Sequence, residues 1–259
     1  MTALLFDCDG VLADTERYGH LPAFNDTFAE FGVPAHWTED DYAEKLKIGG
    51  GKERMASLFA DPEFVAHADI PPDEDTRRDL LARWHQTKTA RFKQLVADGK
   101  IPPRSGVARI IPEALDAGWT VAVCSTSAQE SVAAVLRRAV GDVADRVPLF
   151  AGDVVPAKKP DPAVYRLAVD RLGLDPADTL VVEDSRNGLL AAIRAGLHCV
   201  VTVSGYTRDE AFDEAVLVVS ELGDPGRPPI EVLVNRSAAE PGDYLTLDDL
   251  TACLSGARR

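Results

Sequence analysis

The second half of the chain alternates short, largely apolar runs with segments of helical periodicity, and this alternation restricts the fold more than any other feature. The apolar runs lie at 120–124, 149–150, 179–182, 199–203 and 216–219. Strands that lack polar alternation are covered on both faces, and strands that are separated by helices pair in parallel. The pattern therefore predicts an α/β, Rossmann-like core with a parallel sheet and helices on both faces.

One further apolar run, at 4–6, precedes a long helical part of the sequence. From residue 16 to residue 96 the apolar residues recur at helical spacing, without a strand pattern. We therefore expect a core domain made of 1–15 and 97–259, interrupted by an all-helical cap domain at 16–96. The segment 223–241 is rich in proline and glycine and is predicted to be loop, followed by a closing helix at 245–254.

The composition argues against several classes of partner. A formal net charge of −14 and a pI of about 4.8 disfavour nucleic acid and anionic membranes, because both need clustered positive charge. The sequence lacks a signal-peptide pattern and any apolar run as long as a membrane span, so we expect a cytoplasmic protein. We also expect the protein to be a monomer. The four cysteines and five histidines show no metal-binding spacing. A bound metal would therefore have carboxylate ligands, which favours magnesium over zinc.

Polar residues follow the predicted strands at the points where the strands end. Asp7 and Asp9 follow the first strand, 125–127 is a run of hydroxyl residues, 158–159 is a lysine pair, and 183–184 is an acidic pair. The ligand of an open parallel sheet lies beyond the carboxyl ends of its strands. Two close carboxylates on one side of a strand favour a bound cation or a shared proton. Taken singly, each group also fits a solvated turn, a helix cap or a surface pair.

The order and the intervals of these groups resemble the haloacid dehalogenase superfamily, whose members are mostly magnesium-dependent phosphotransferases. Four motifs carry the resemblance: Asp7-Cys8-Asp9-Gly10-Val11, Ser125, Lys159-Pro160 and Glu183-Asp184-Ser185-Arg186-Asn187-Gly188. The resemblance implies that Asp7 attacks phosphorus and forms an aspartyl-phosphate. It also implies that Asp9 protonates the leaving oxygen and then activates water.

The same resemblance implies a cofactor and a set of phosphate contacts. A magnesium ion would be held by Asp7, the backbone carbonyl of Asp9 and Asp184, with Glu183 in support. The groups that it assigns to the phosphate oxygens are Ser125, the backbone amides that follow it at Thr126 and Ser127, and the fixed charge of Lys159. Lys158 is the alternative to Lys159, although the adjacent Pro160 favours Lys159.

The inserted segment resembles the helical cap of the β-phosphoglucomutase-like subfamily, because it begins directly after the first motif. Residues 14–17, 19–20, 23–25 and 48–55 are similar to the CbbY-like branch, which includes phosphatases of xylulose-1,5-bisphosphate. The glycines at 49–51 precede a helix and predict a seat for a second phosphate; a flexible hinge with solvated charges is the alternative. The cap residues expected to contact the substrate are Glu16, His20, Tyr42, Lys47, Gly50, Gly51, Lys52 and Arg54.

Together these features predict a magnesium-dependent phosphatase that acts on a small sugar phosphate and removes the 1-phosphate of xylulose-1,5-bisphosphate. A β-phosphoglucomutase-type phosphomutase, which uses the same aspartates, and a sugar phosphatase of broad specificity are the alternatives. A dehalogenase is disfavoured because its chemistry calls for neither Asp9 nor a metal. A non-catalytic sugar-phosphate sensor is disfavoured because binding alone requires no nucleophile.

Overall fold

The computed structural model describes residues 2–71 and 73–255, which divide into two compact units. The first unit contains the chain up to Asp14 and from Pro102 onward, and the second unit is Thr15–Ile101. The units change over within a few residues of the expected domain boundaries at 15/16 and 96/97. The assignment of the two units as a catalytic domain and a cap domain stays a prediction.

The chain opens with strand β1 (Ala3–Phe6) and then enters the second unit, whose described residues form helices and no strand. A π-helical turn at Glu16–His20 leads into α1. The helices of this unit are α1 (Leu21–Glu30), α2 (Glu39–Leu46), α3 (Gly51–Ala56), α4 (Pro62–His67) and α5 (Glu74–Ala97). The helical prediction for this segment is confirmed, although the sequence pattern did not separate α4, which Asp61 caps.

Buried aromatic rings form the core of the second unit. Trp37 packs against Phe24 and Phe28, with ring centroids 5.0 and 4.9 Å apart. Trp84 of α5 lies 6.4 Å from Phe28 in an edge-to-face arrangement. Tilted and edge-to-face pairs are the favoured geometries of aromatic rings, so these contacts hold α1 against α5 and explain why the apolar residues recur at helical spacing.

The rest of the first unit supplies six further strands and five further helices among the described residues. The strands are β2 (Thr120–Cys124), β3 (Leu149–Phe150), β4 (Thr179–Glu183), β5 (His198–Thr202), β6 (Leu217–Val219) and β7 (Val232–Asn235). The helices are α6 (Val107–Asp116), α7 (Gln129–Val140), α8 (Ala163–Leu172), α9 (Arg186–Arg194) and α10 (Leu247–Ala252). The strands form one sheet in the order β3-β2-β1-β4-β5-β6-β7.

Strand β1 lies in the middle of this sheet and pairs in parallel with β2 on one side and β4 on the other. Leu5 is opposite Ala122 and Val181, and all three are fully buried. The carboxyl ends of β1, β2 and β4 consequently meet at one edge of the sheet. The predicted α/β fold is confirmed.

The tail of the chain departs from the prediction. Within 223–241, expected to be loop, β7 (Val232–Asn235) pairs antiparallel with β6, so the sheet is not wholly parallel. Val232 is exposed on this edge strand, and Pro228 and Pro229 come just before it. Turn-forming residues therefore dominate the local sequence pattern, and the strand forms because its backbone pairs with residues 217–219 of β6.

Two expectations concern the chain as a whole. All four cysteines are free and buried, and a buried free cysteine packs as a small apolar residue. No helix in residues 2–71 and 73–255 is both long enough and apolar enough to cross a membrane.

Candidate active site

Asp7 lies directly after β1, where the strand ends at the edge of the sheet. Its backbone N–H donates to the carbonyl of Val182 at 2.9 Å, which continues the pairing of β1 with β4, and its side chain is buried. The chain then turns back on itself, since Leu12 N–H donates to the Cys8 carbonyl at 2.9 Å and Gly10 N–H to the Ala13 carbonyl at 3.0 Å. We call residues 8–13 the motif turn.

The ammonium group of Lys159 contacts two of the predicted acidic residues. Its Nζ lies 2.5 Å from Asp7 Oδ1, 2.6 Å from Glu183 Oε1 and 2.8 Å from the carbonyl of Cys124. Burial lowers the pKa of Lys159, but the Asp7 and Glu183 carboxylates outweigh burial and raise that pKa above its usual value. Lys159 therefore carries a fixed positive charge at neutral pH.

Lys158 points to a different environment. Its Nζ lies 2.7 Å from Asp153, whose side chain is 96% exposed, and 3.1 Å from the carbonyl of Gly152. Of the two adjacent lysines, Lys159 is thus the one that the fold brings to the aspartate that follows β1.

Three buried carboxylates lie close together, and two of them, Asp7 and Glu183, contact this lysine. Oxygen atoms of Asp7, Glu183 and Asp184 all lie within 4.8 Å of one another. Burial raises the pKa of Asp7 well above its usual value, and the charges of Glu183 and Asp9 raise it further, while Lys159 opposes the shift. One ammonium group does not balance three carboxylates. An oxygen-only donor set with excess negative charge fits a hard divalent cation such as magnesium.

Two glycines leave the space that these carboxylates occupy. Gly10 has a φ of +78°, and a Cβ at this position would lie 2.1 Å from Asp184 Oδ2. A Cβ on Gly188 would lie 1.9 Å from Glu183 Cδ. The glycines of the first and fourth motifs are therefore explained by close packing of backbone against acidic side chains.

The hydroxyl run after β2 lies close to Asp9. The Ser127 hydroxyl donates to the Asp9 carboxylate, and the Ser127 N–H donates to Ser125 Oγ at 3.1 Å. Ser125 is buried, and its own N–H donates to the Phe150 carbonyl at 2.9 Å. Thr126 is partly buried between them. The structure thus places all four predicted motifs together at the carboxyl ends of β1, β2 and β4.

The model of the family described as haloacid dehalogenase-like hydrolase matches residues 1–196. The chain belongs to this hydrolase family. A CBBY-like protein of Arabidopsis thaliana is 50% identical over 225 residues, covering 86% of this chain and 70% of that protein. Protein CbbY of Cupriavidus necator is 39% identical over 234 residues, 88% of each chain. A crystal structure of a CbbY mutant from Rhodobacter sphaeroides in complex with xylulose-(1,5)bisphosphate has a TM-score of 0.77 and 40% identity, covering 87% of this chain and 97% of that chain.

These comparisons confirm the predicted resemblance to the CbbY-like branch, and this haloacid dehalogenase-like hydrolase is a phosphatase. They do not assign individual residues. The roles of the residues that the sequence singled out stay predictions, which the geometry of this hydrolase supports to different degrees.

In the second unit of the hydrolase, three of the predicted cap residues form one cluster. The Tyr42 hydroxyl donates to Glu16 Oε2, and Arg54 Nη1 donates to the Tyr42 oxygen at 2.9 Å. The same Nη1 lies 3.5 Å from Glu16, and Arg54 Nε donates to the Ile48 carbonyl at 2.9 Å. The side chains of Glu16 and Arg54 are only 13% and 12% exposed, so this cluster is a largely buried polar group within the helical unit.

The other predicted cap residues lie apart from that cluster. His20 is buried, stacked on Phe92 at a centroid distance of 4.2 Å, with its Nδ1 2.7 Å from Lys88 Nζ. Lys47 is largely exposed and bonded to Glu44 at 2.6 Å, and Lys52 is exposed.

The expected phosphate seat at the start of α3 is also partly filled. A Cβ on Gly50 would lie 2.1 Å from Glu53 Oε2, so the Glu53 carboxylate folds back against this glycine, while Gly51 faces the rings of Phe24 and His85.

Tyr165 is a contact of the site that sequence reasoning missed. Its hydroxyl donates to Glu183 Oε1 at 2.5 Å, and its ring centroid lies 4.8 Å from Lys159 Nζ. Burial raises the pKa of Tyr165 well above its usual value, and the charge of Glu183 adds to this, so the hydroxyl stays a donor. Tyr165 falls on the apolar face of α8 and in sequence resembles an ordinary core residue; its position five residues after Pro160 is the signal that was available.

Proposed function

We propose that this phosphatase removes the 1-phosphate of xylulose-1,5-bisphosphate with Asp7 as the nucleophile. The observation that carries the proposal is the environment of Asp7: a buried carboxylate at the end of β1, 2.5 Å from Lys159 and beside Glu183 and Asp184. The relative that was crystallised with xylulose-(1,5)bisphosphate supports the choice of substrate, since it shares 40% identity with this chain.

The proposed reaction has two balanced steps. In the first, a carboxylate oxygen of Asp7 attacks phosphorus, the bond from phosphorus to the sugar oxygen breaks, and the proton of Asp9 passes to that oxygen. In the second, Asp9 takes a proton from water, the resulting hydroxide attacks phosphorus, and the bond to the Asp7 oxygen breaks. The products are a pentulose monophosphate and inorganic phosphate, and both aspartates return to their starting states.

The surroundings of Asp9 suit a residue that gives and takes a proton. The Ser127 hydroxyl holds its carboxylate, and Asp9 is less buried than Asp7, so water can reach it. Ser125 Oγ, the Thr126 amide and Lys159 are the groups proposed to hold the phosphate oxygens, because the Ser127 hydroxyl donates to Asp9 and the Ser127 N–H donates to Ser125 Oγ. Lys159 would act as a fixed charge, because its ammonium group is bound by two carboxylates and a carbonyl.

Magnesium is the proposed cofactor, held by Asp7, Asp184 and the Asp9 carbonyl with Glu183 in support, and when bound it would lower the repulsion between the anionic nucleophile and the phosphate. The donor set fits, because it is all oxygen and its negative charge exceeds what Lys159 balances.

The second unit is proposed to recognise the phosphate that does not react. The cluster of Glu16, Tyr42 and Arg54 offers hydrogen-bonded polar groups for sugar hydroxyls, and the exposed Lys52 offers a positive charge. Replacement of Lys52 by alanine should then raise KM for the bisphosphate and leave KM for a small monophosphate unchanged.

The test is phosphate release with magnesium across a panel of sugar phosphates, with Asp7→Asn as the inactive control. The panel contains xylulose-1,5-bisphosphate, ribulose-1,5-bisphosphate, fructose 1,6-bisphosphate, β-glucose 1-phosphate and small monophosphates. We expect kcat/KM for xylulose-1,5-bisphosphate to exceed the others by about a hundredfold, roughly 2.7 kcal/mol of discrimination. Equal, slow hydrolysis of all compounds would refute the substrate, and conversion of β-glucose 1-phosphate into glucose 6-phosphate would establish the mutase instead.

A further inference from the structure

Arg104 makes an unusual set of contacts in the first unit, none of which the proposed chemistry uses. Its guanidinium donates to four backbone carbonyls that lie at the ends of three different strands or just after them. Nη1 donates to Gly10 at 2.6 Å and Thr202 at 3.3 Å, and Nη2 donates to Val203 at 2.8 Å and to Ser220. One side chain therefore ties the end of β5 and the end of β6 to the residue next to Asp9.

Arg104 also holds the motif turn through its backbone. Its N–H donates to the Leu12 carbonyl at 3.0 Å, so the turn is bound to Arg104 at two points, Gly10 and Leu12. Gly10 also packs so tightly against Asp184 that a Cβ would lie 2.1 Å from Oδ2. Gly10 thus contacts both the guanidinium of Arg104 and the carboxylate of Asp184.

The chemistry of the contact requires an arginine. A planar guanidinium presents donors in a fixed fork, so it can bond several carbonyls at set angles, whereas an ammonium group is a single point. Burial lowers the pKa of Arg104, and the charge of Asp184 opposes this, yet an arginine stays protonated at neutral pH. The carbonyls replace part of the water that this partly buried charge has lost.

We propose that Arg104 is a positioning residue that fixes the motif turn, and with it the backbone carbonyl of Asp9, against Asp184. The proposal rests on the proposed roles of Asp9 and Asp184 in cation binding and proton transfer. Groups that orient metal ligands typically contribute about 10- to 100-fold to metal affinity or activity. Loss of Arg104 should therefore affect kcat and the affinity for magnesium rather than KM for the sugar phosphate.

The first unit offers a matched control and a route for chemical rescue. Arg109 makes the same kind of contact, donating from Nη2 to the carbonyls of Gly223 at 2.7 Å and Leu245 at 2.8 Å, but these carbonyls are not in the motif turn. Arg104 also lines a cleft of about 670 Å³ together with Asp14, Ser204 and Glu221. A free guanidinium ion can enter through this cleft when the side chain of Arg104 is removed.

The experiment compares the full-length wild type, Arg104→Ala and Arg109→Ala. It measures kcat and KM on p-nitrophenyl phosphate and on xylulose-1,5-bisphosphate, and the Kd of Mg²⁺ by isothermal titration calorimetry without substrate. We expect Arg104→Ala to lower kcat and weaken Mg²⁺ binding by about 10- to 100-fold, with KM near the wild-type value. Millimolar guanidinium chloride should restore part of kcat, and ammonium chloride should not. Arg109→Ala should lose thermal stability while keeping kcat and the Kd of Mg²⁺.

Wild-type kcat and Mg²⁺ affinity in Arg104→Ala, or equal losses in Arg109→Ala, would overturn the proposal, and so would equal rescue by ammonium. If Arg104→Ala does not fold, Arg104→Lys tests the proposal instead, because one ammonium group cannot join Gly10 to Val203 and Ser220. A folded Arg104→Lys protein with wild-type kcat and Mg²⁺ affinity would refute the positioning role. A wild type that hydrolyses p-nitrophenyl phosphate but not xylulose-1,5-bisphosphate would refute the proposed substrate and leave this comparison intact.

Discussion

Replacement of Lys159 by methionine should destabilise the first unit strongly. The lysine is 8% exposed and lies within 2.6 Å of carboxylate oxygens of both Asp7 and Glu183. Removing one partner from a buried ion pair typically costs about 3–5 kcal/mol, because the remaining charges are left uncompensated. Methionine keeps the apolar length of the side chain, so the loss of charge accounts for most of the effect.

The pH dependence of this cost has a definite sign. Without Lys159, burial and mutual repulsion hold the pKa of Asp7 above that in the unfolded chain, so the folded state binds protons more tightly than the unfolded state does. The stability of the variant should therefore rise as the pH falls from neutral towards the unfolded pKa of aspartate. The difference from the wild type is largest at neutral pH and shrinks on acidification.

Hydrogen exchange measured by mass spectrometry on peptides from β1 and β4 reports this unit separately from the helical one. In metal-free buffer at neutral pH, a cost of about 3–5 kcal/mol corresponds to a fall in protection of roughly two to almost four orders of magnitude. Lys158→Met is the matched control, because its partner Asp153 is exposed, and such pairs contribute about 0–1 kcal/mol. Equal losses in the two variants, or a cost for Lys159→Met that grows on acidification, would refute the electrostatic account.

Two further predictions concern a glycine of the site and a helix cap. Gly10→Ala should abolish most activity, while Gly118→Ala should only lower the melting temperature. Both glycines have φ near +79°, but a Cβ at Gly10 would lie 2.1 Å from Asp184, whereas a Cβ at Gly118 would meet nothing within 4 Å. Activity assays and thermal melts of the two variants therefore separate the effect of the steric clash from that of backbone strain. Asp73 caps α5, and the hydrogen bonds that it accepts from Thr76 lower its pKa. The contribution of Asp73 to stability should be present above the pKa of aspartate in the unfolded chain and should disappear as the pH falls through the lowered pKa of the folded state. The melting temperatures of the wild type and Asp73→Ala should therefore differ at neutral pH and converge in acid.

The architecture of the site could be predicted from the sequence because it follows from strand ends. Apolar runs locate β1, β2 and β4, and parallel pairing brings whatever follows them to one edge of the sheet. Asp7, Ser125 and Asp184 are found in this way without any knowledge of distances. The same reasoning finds the lysine pair but does not separate Lys158 from Lys159, since neighbouring residues differ only in the direction of their side chains.

The contacts that sequence reasoning missed depend on residues far apart in the chain. Tyr165 lies on a helix face whose periodicity predicts burial, and only the fold shows that its hydroxyl meets Glu183. Arg104 lies in a proline-containing connection without periodicity, and the carbonyls that it binds come from residues 10, 202, 203 and 220. Strand β7 was missed for a similar reason, because its pairing with β6 determines its structure more than its own composition does.

The site brings together carboxylates that repel one another, and Asp7→Asn removes one of these charges. The raised pKa of Asp7 means that its ionised form is less favourable in the folded protein than in the unfolded chain. Asparagine removes that charge, and Lys159 keeps Glu183 at 2.6 Å and the Cys124 carbonyl at 2.8 Å as partners. The variant therefore lacks the nucleophile without losing the contacts that hold Lys159. The same electrostatics predict an inactive but fully folded Asp7→Asn protein and a destabilised Lys159→Met protein. The two variants therefore separate the chemical role of the site from the cost of its buried charges to the stability of the fold.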